Sequence, residues 1–101
     1  MVKNMVDIEF VGNENMLRMA IQSVVNWYNN NIGNETHSYI LKDDVCIVWF
    51  CKTLQNFKVV LATPLIGKEF YEFTYNGDRQ EAYLDVYTKT NNQIIKLHDT
   101  K

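Results

Sequence analysis

The spacing of apolar residues first predicts an amphipathic helix near the start of the chain. Over residues 14–28, apolar side chains recur every three or four positions, which is typical of a helix with one buried face and about four to five turns. Asn13 suits the N-cap, and Glu14 places a carboxylate in the first turn, where the helix dipole favours it. Residues 29–31, all asparagine, and Gly33 predict the end of the helix, because both residue types tolerate the left-handed C-cap conformation.

Further along the chain the pattern becomes that of strands. After a polar connection over residues 34–44, residues 45–51 form an almost continuous apolar run rich in β-branched and aromatic side chains. This run predicts a strand that is buried on both faces. Residues 57–63 predict the next strand, and Pro64 ends it because proline has no N–H to donate to a neighbouring strand.

Residues 68–89 contain two aromatic-rich runs joined by Asn76-Gly77 and predict a β-hairpin. Asn-Gly favours a two-residue type I′ turn, and this turn would place Glu72 directly opposite Glu81. Residues 93–98, which follow a second asparagine pair, predict one more strand. The expected fold is therefore α+β, with one N-terminal amphipathic helix packed on a five-stranded antiparallel β-meander.

Length and composition indicate one domain. A chain of 101 residues buries roughly 65% of the surface that its unfolded form exposes, which is enough for one modest core. Residues 13–101 are the expected domain, and residues 1–12 are an N-terminal arm with a possible edge strand. No apolar run approaches the length of about 18 residues that spans a bilayer, so a cytoplasmic protein is expected.

Strand alternation separates the predicted core from the predicted surface of the hairpin. Tyr71, Phe73 and Tyr75 share the face that the helix covers. The opposite face carries an unusual combination of aromatic and acidic side chains, here called the acid-aromatic face: Phe70, Glu72, Glu81, Tyr83, Asp85 and Tyr87. Because tyrosine is enriched at binding hot spots, we expect this face to bind a protein partner rich in Arg or Lys.

The first predicted strand has apolar side chains on both faces, and one helix covers only one of them. Cover for the second face is expected from the N-terminal arm, from residues 34–44 or from another subunit. A homodimer is the preferred interpretation.

The cysteines and histidines give little support for a metal site. Cys46 and Cys51 lie five residues apart in one strand, which predicts opposite faces and no disulfide. His37 and His98 are far from them in the sequence, so the spacing does not match a zinc site. No metal and no cofactor are expected.

Catalysis and nucleic-acid binding are also disfavoured. Glu72, Glu81 and Asp85 have the chemistry of general acids or of ligands for a hard cation, but a solvated sheet face is the preferred interpretation. No catalytic residue is predicted. Lys52 and Lys58 flank the first turn and form an alternative ligand-binding site for phosphates. The net charge of −2 disfavours direct nucleic-acid binding.

Four stretches of the chain resemble a family of small proteins of unknown function that phages and prophages of Gram-positive bacteria encode. They are residues 48–49, 51–56, 71–78 and 83–87. The most specific are Cys-Lys-Thr-Leu-Gln-Asn at residues 51–56 and Thr-Tyr-Asn-Gly-Asp at residues 74–78. The family has no established functional residues to carry over. The resemblance implies a phage origin, the cytoplasm of a host bacterium and a role other than metabolic catalysis.

Small phage proteins of this size commonly act by binding. The leading hypothesis is a non-enzymatic protein that inhibits or redirects a host factor, such as a counter-defence protein, through the acid-aromatic face. One alternative is a dimeric sponge that sequesters a signalling nucleotide between aromatic rings and the two lysines. Another is an accessory subunit of phage replication or assembly.

Overall fold

The computed structural model describes residues 16–63 and 69–99. Its main elements are α1 (Met16–Tyr28), β1 (Cys46–Thr53), β2 (Asn56–Ala62), β3 (Glu69–Asn76) and β4 (Glu81–Thr88). The strands pair antiparallel in chain order and α1 covers one face of the sheet. The prediction of an α+β meander with an N-terminal helix is confirmed, but the sheet has four strands. The predicted arm at residues 1–12, the N-cap Asn13 and Pro64 lie outside the described residues.

The predicted fifth strand at residues 93–98 is wrong. β4 ends at Thr88, and residues 89–99 form no helix, no strand and no backbone hydrogen bond within the described part of the chain. The core side of β4 explains why a further strand beside it would bury little apolar surface. Leu84 and Val86 are themselves only half-buried at the margin of the core, so a further strand would lie beyond the cover that α1 provides.

The helical segment continues past its predicted end. A π-helical turn, Asn29–Gly33, and a last turn, α2 (Asn34–Thr36), extend it, and His37 ends it in the left-handed conformation at φ 57°. The asparagines sustain the helix because their side chains bond backward: the Asn31 amide donates to the Trp27 carbonyl at 2.8 Å. The asparagine side chains therefore stabilise the helical segment and do not end it.

Asn29 holds the connection that follows the helix. Its side-chain oxygen accepts the backbone N–H of Ile40 at 2.8 Å, and its side-chain amide donates to the Ile40 carbonyl at 3.0 Å. This pair of bonds places the Ile40 side chain in the core, where it is fully buried, while Tyr39 and Leu41 on either side remain exposed. The Asn29 side chain thus makes the two backbone hydrogen bonds with Ile40 that a neighbouring strand would otherwise make.

The core lies between α1 and the central strands. The largest side chains with almost no solvent exposure are those of Val24, Ile40, Val59, Leu61 and Tyr71. They form one cluster with the rest of the buried face of α1 and with Phe73 and Tyr75 of β3. The predicted core face of the hairpin is therefore correct. Among the described residues, no helix has the length and apolar character needed to cross a membrane.

The hairpin between β3 and β4 has a four-residue connection, residues 77–80, and the predicted two-residue Asn-Gly turn is wrong. Asn76 organises it: its side-chain oxygen accepts the backbone N–H groups of Asp78 and Arg79 at 3.1 and 3.3 Å. Gln80 adopts φ 52° before β4 begins. The cross-strand partner of each residue moves by four positions, for example from Glu81 to Asp85 for Glu72, and this even shift preserves the face of every side chain because the strand period is two.

Gly77 permits the connections at the two hairpin ends to pack against each other. A Cβ at this position would overlap the backbone carbonyl oxygen of Gln55, in the turn between β1 and β2. The Gly77 N–H donates to the Asn56 side-chain oxygen at 3.2 Å, and the Gln55 amide bonds the Asp78 carboxylate. The stretches 51–56 and 74–78, which are distant in sequence, therefore meet at one end of the sheet.

The first strand is not buried on both faces, and this prediction is wrong. Every residue of β1 is exposed, because β1 is the edge of the sheet and, within the described part of the chain, pairs only with β2. A bulge at Val48 interrupts the register, so Ile47 faces Leu61 while Trp49 faces Val60. One consequence is that Cys46 and Cys51 lie on the same face of the sheet rather than on opposite faces.

We expect Gly77→Ala to destabilise the fold by about 1–3 kcal/mol, because the added methyl group overlaps backbone that cannot rotate away. Urea unfolding followed by circular dichroism measures the loss. Arg79→Ala, in the same connection but with an exposed side chain, is the matched control and should unfold like the wild type. Equal stability of Gly77→Ala and the control would contradict the close packing of the two connections.

A second prediction concerns Tyr71, whose buried hydroxyl has no hydrogen-bond partner among the described residues. Burial, with a smaller contribution from Glu69, raises the pKa of this phenol from 10.0 to about 12. Folding therefore favours the neutral phenol, so its contribution to stability is complete below pH 10 and is lost as the pH rises towards 12.

Accordingly, Tyr71→Phe should raise the free energy of unfolding by about 1 kcal/mol at neutral pH, since it removes an unsatisfied polar group. It should also reduce the loss of stability between pH 10 and 12. Urea titrations at several pH values test both effects, with Tyr39→Phe as the control at an exposed tyrosine. A Tyr71→Phe protein that is clearly less stable at neutral pH would show that the hydroxyl is bonded.

Candidate functional site

The structure places all six residues of the acid-aromatic face on the side of the sheet opposite α1. In β3 and β4, Phe70 pairs with Tyr87, Glu72 with Asp85, and Asn76 with Glu81. Tyr83 lies between these pairs, opposite Thr74. The strands impose this arrangement because alternate side chains leave a strand on the same face. The predicted surface is therefore one continuous patch on two adjacent strands.

The aromatic part of the face is a stacked pair at the end of the sheet away from the hairpin connection. The rings of Phe70 and Tyr87 have centroids 4.8 Å apart and planes inclined by 14°. Their exposed fractions are 44% and 42%, so the stack forms a flat apolar surface in contact with water. Stacking holds both rings in one orientation. Less side-chain conformational entropy is therefore lost when a partner binds.

The acidic part of the face is centred on Glu72 and Asp85, which lie directly opposite each other. Like charges in this position repel, and Lys58 from β2 relieves the repulsion by pairing with Glu72 at 3.5 Å. Asp85 is exposed and has no ion-pair partner among the described residues. It is therefore the carboxylate of this pair that is available to a cationic group on a partner.

Glu81 and Tyr83 form a second acid-aromatic pair closer to the hairpin connection. The Tyr83 hydroxyl donates to a carboxylate oxygen of Glu81 at 2.5 Å. This hydrogen bond is the main reason that the pKa of Tyr83 lies above its usual value, because losing the proton also loses the bond. The arrangement presents a phenol ring beside a carboxylate, a combination that suits the guanidinium group of arginine.

The register separates Glu72 from Glu81, the two carboxylates that the sequence predicts to lie opposite each other. Glu72 faces Asp85, and Glu81 faces Asn76, four residues further along β3. Four residues of strand span about 13 Å, which is too long for two carboxyl groups that act on one bond. Within residues 16–63 and 69–99, no group of three His, Cys, Asp or Glu side chains is placed to hold a metal ion.

Lys52 and Lys58, the alternative ligand-binding pair, lie on opposite faces of the sheet. Lys58 pairs with Cys51 and Thr74 on the acid-aromatic side, whereas Lys52 pairs with the buried Phe57 on the side of α1. Lys58 also lines an open concavity of about 220 Å³, together with Trp49 and Cys51. One copy of the chain therefore does not bring the two lysines to a common ligand.

Sequence reasoning missed Trp49. With β1 expected to be buried on both faces, this side chain was placed in the interior, but it is 52% exposed on the same side of the sheet as the acid-aromatic face. The position of β1 at the start of a meander is the signal that identifies it as an edge strand. Trp49 extends the exposed aromatic surface across the sheet to β1.

Comparison with known proteins places residues 17–97 within one family model, whose description is "Family of unknown function (DUF6275)". No curated protein matches the chain, and no solved structure matches it. The expected membership of an uncharacterised family is confirmed. The expected origin in phages of Gram-positive bacteria stays a prediction.

The bond between Tyr83 and Glu81 leads to a test of the site geometry. Glu81→Gln should lower the pKa of Tyr83, because a neutral amide stabilises the protonated phenol less than a carboxylate does. NMR titration of the Tyr83 ring carbons measures the change. Asp85→Asn, which removes the next carboxylate on the same face of β4 and leaves the Glu81 hydrogen bond in place, should lower that pKa less; equal effects of the two variants would argue against the hydrogen bond.

Proposed function

We propose that this chain, which belongs to the family of unknown function matched over residues 17–97, is a non-enzymatic binding protein that recognises a basic protein surface through its acid-aromatic face. In its specific form, the protein is encoded by a phage and inhibits or redirects a host factor, for example a component of host defence. The observation that carries the proposal is the exposed Phe70–Tyr87 stack on the same face as the exposed carboxylate of Asp85, which has no ion-pair partner among the described residues.

Folding does not account for these aromatic side chains. The core of the sheet is complete on the side of α1, where Tyr71, Phe73 and Tyr75 are buried. Phe70, Tyr83 and Tyr87 lie on the other side, where polar residues would satisfy the strands equally well. Large aromatic side chains at the surface bring the apolar area that a protein interface needs, and they lose little conformational entropy when they bind.

The charges on the face indicate the chemistry of the partner. Glu81 and Asp85 are exposed, and Lys58 is occupied by Glu72. Arginine meets both features of the surface, because its guanidinium group bonds carboxylates and stacks on aromatic rings. A host protein whose nucleic-acid-binding surface is rich in arginine offers such a site, and occupation of that surface would inhibit it.

The two alternatives have less support from the geometry. A dimeric nucleotide sponge depends on Lys52 and Lys58, which lie on opposite faces of the sheet. An accessory role in phage replication or assembly uses the same acid-aromatic face with a different partner. The identity of the captured protein separates that role from inhibition of a host factor.

We expect Glu81→Lys and Tyr83→Ala to weaken capture of the partner by about 30-fold, since side chains at the centre of an interface contribute about 2 kcal/mol or more. The tagged wild-type protein is used to capture proteins from host cells, and binding of each purified candidate is then measured by calorimetry. Affinity should also fall as salt is raised, because the contact is between opposite charges.

Arg18→Glu is the matched control, because Arg18 is exposed on α1, on the opposite side of the sheet. It should bind like the wild type. Circular dichroism of every variant establishes that the fold is retained. Undiminished binding by both Glu81→Lys and Tyr83→Ala would overturn the proposal.

A further inference from the structure

Residues 89–99 leave the sheet as an exposed segment with an apolar centre, here called the C-terminal segment. Ile94, Ile95 and Leu97 are 81%, 75% and 92% exposed, more than any apolar residue of the sheet itself. A segment so apolar and so exposed is stable in water only when another surface covers it.

The composition of the C-terminal segment is that of a strand. Residues 93–98 alternate: Ile95 and Leu97 project to one side, and Ile94, Lys96 and His98 project to the other. Isoleucine and leucine suit the half-buried surface of a sheet, and no proline or glycine interrupts the run. The segment therefore has the sequence of a strand, but it pairs with no strand in the described part of its own chain.

The edge of β1 is the complementary surface. Among the described residues nothing pairs with its outer backbone groups, which are those of an edge strand, and Val48, Trp49 and Phe50 are each more than half exposed. The bulge at Val48 leaves residues 49–53 in regular register, a length that matches residues 93–98. The other free edge, β4, has a more polar surface, with Glu81 and Asp85 on its exposed face.

The segment and the edge lie at opposite sides of the same sheet. β1 and β4 are separated by two strands, which corresponds to about 14 Å across the sheet. The C-terminal segment follows β4 and is exposed along its described length. A second copy of the chain offers the β1 edge without closing the sheet on itself. A mutual exchange of this kind forms a closed two-fold dimer.

We propose that the C-terminal segment of one copy adds as a strand to the β1 edge of a second copy, and that the second copy returns the same contact. Ile95 and Leu97 extend the core side of the sheet next to Phe50, whose ring is covered on one side by Phe57 at 5.9 Å. Lys96 and His98 then project on the opposite side, next to Trp49 and Cys51. The exchange gives both exposed apolar surfaces a partner and fills both β1 edges.

The first test is the oligomeric state of the full chain, measured by analytical ultracentrifugation. The wild type should sediment as a dimer, with twice the chain mass of 11.9 kDa. The double variant Ile95→Asp/Leu97→Asp should be monomeric with an unaltered circular dichroism spectrum, since both side chains are at least three-quarters exposed in one copy of the chain. The double variant Thr90→Asp/Asn92→Asp, which adds the same two charges to exposed polar positions of the same segment, is the control and should stay dimeric.

The second test identifies the acceptor edge. Phe50→Asp should also yield a monomer, and Val48→Asp is a second edge variant because Val48 is more exposed and contributes less to the fold. Neither the segment variant nor an edge variant forms a homodimer, but a mixture of the two should form a heterodimer. In that mixture, the intact segment of one protein meets the intact edge of the other.

Each possible failure contradicts a defined part of the proposal. A monomeric wild type overturns it, as does a dimer that survives Ile95→Asp/Leu97→Asp. Loss of the dimer with the segment variant but with neither edge variant would place the segment on another surface and overturn the β1 contact. Absence of a heterodimer in the mixture would overturn the exchange. None of these results depends on whether the acid-aromatic face binds a partner.

Discussion

The packing of one helix on one face of the sheet is the interaction on which the rest of the structure depends. Val24 of α1, Val59 and Leu61 of β2, and Tyr71 of β3 lose nearly all their exposure in this contact. Among the described residues, α1 is the one long helix, so the other sheet face meets water. The aromatic residues of that face are consequently available for recognition. β1 lies at the edge of the area that α1 covers, so its apolar side chains stay exposed.

The sequence was sufficient to predict which side chains belong to the core of the hairpin, even though its turn was predicted wrongly. Alternation alone separates Tyr71, Phe73 and Tyr75 from Phe70 and Tyr87, and a register error of an even number of residues leaves that division unaltered. The same error exchanged cross-strand partners, so Glu72 meets Asp85 rather than Glu81. Faces are therefore predictable from a period of two, whereas individual partners depend on the connection.

The other wrong predictions concern the hairpin turn, the end of the helix and the burial of β1, where residues distant in the sequence or the position in the sheet determine the structure. Asn-Gly suggested a tight turn, but Gly77 is required for its approach to Gln55, a residue 22 positions earlier that no local pattern connects to it. The asparagine run suggested a helix end, yet its side chains bond backward and the helix continues. Similarly, the apolar run of β1 suggested burial, because an edge strand and a central strand can have the same composition.

The two surfaces that we propose for binding use different parts of the sheet and are compatible. The acid-aromatic face lies on β3 and β4, whereas self-association uses the edge of β1 and the C-terminal segment. β1 is separated from β3 by one strand, about 10 Å across the sheet, so a strand added at β1 leaves Phe70, Tyr87 and Asp85 uncovered. A two-fold dimer then presents two acid-aromatic faces. Because a second contact on the same partner becomes intramolecular, such a dimer binds a partner with repeated basic sites more tightly than either face does alone.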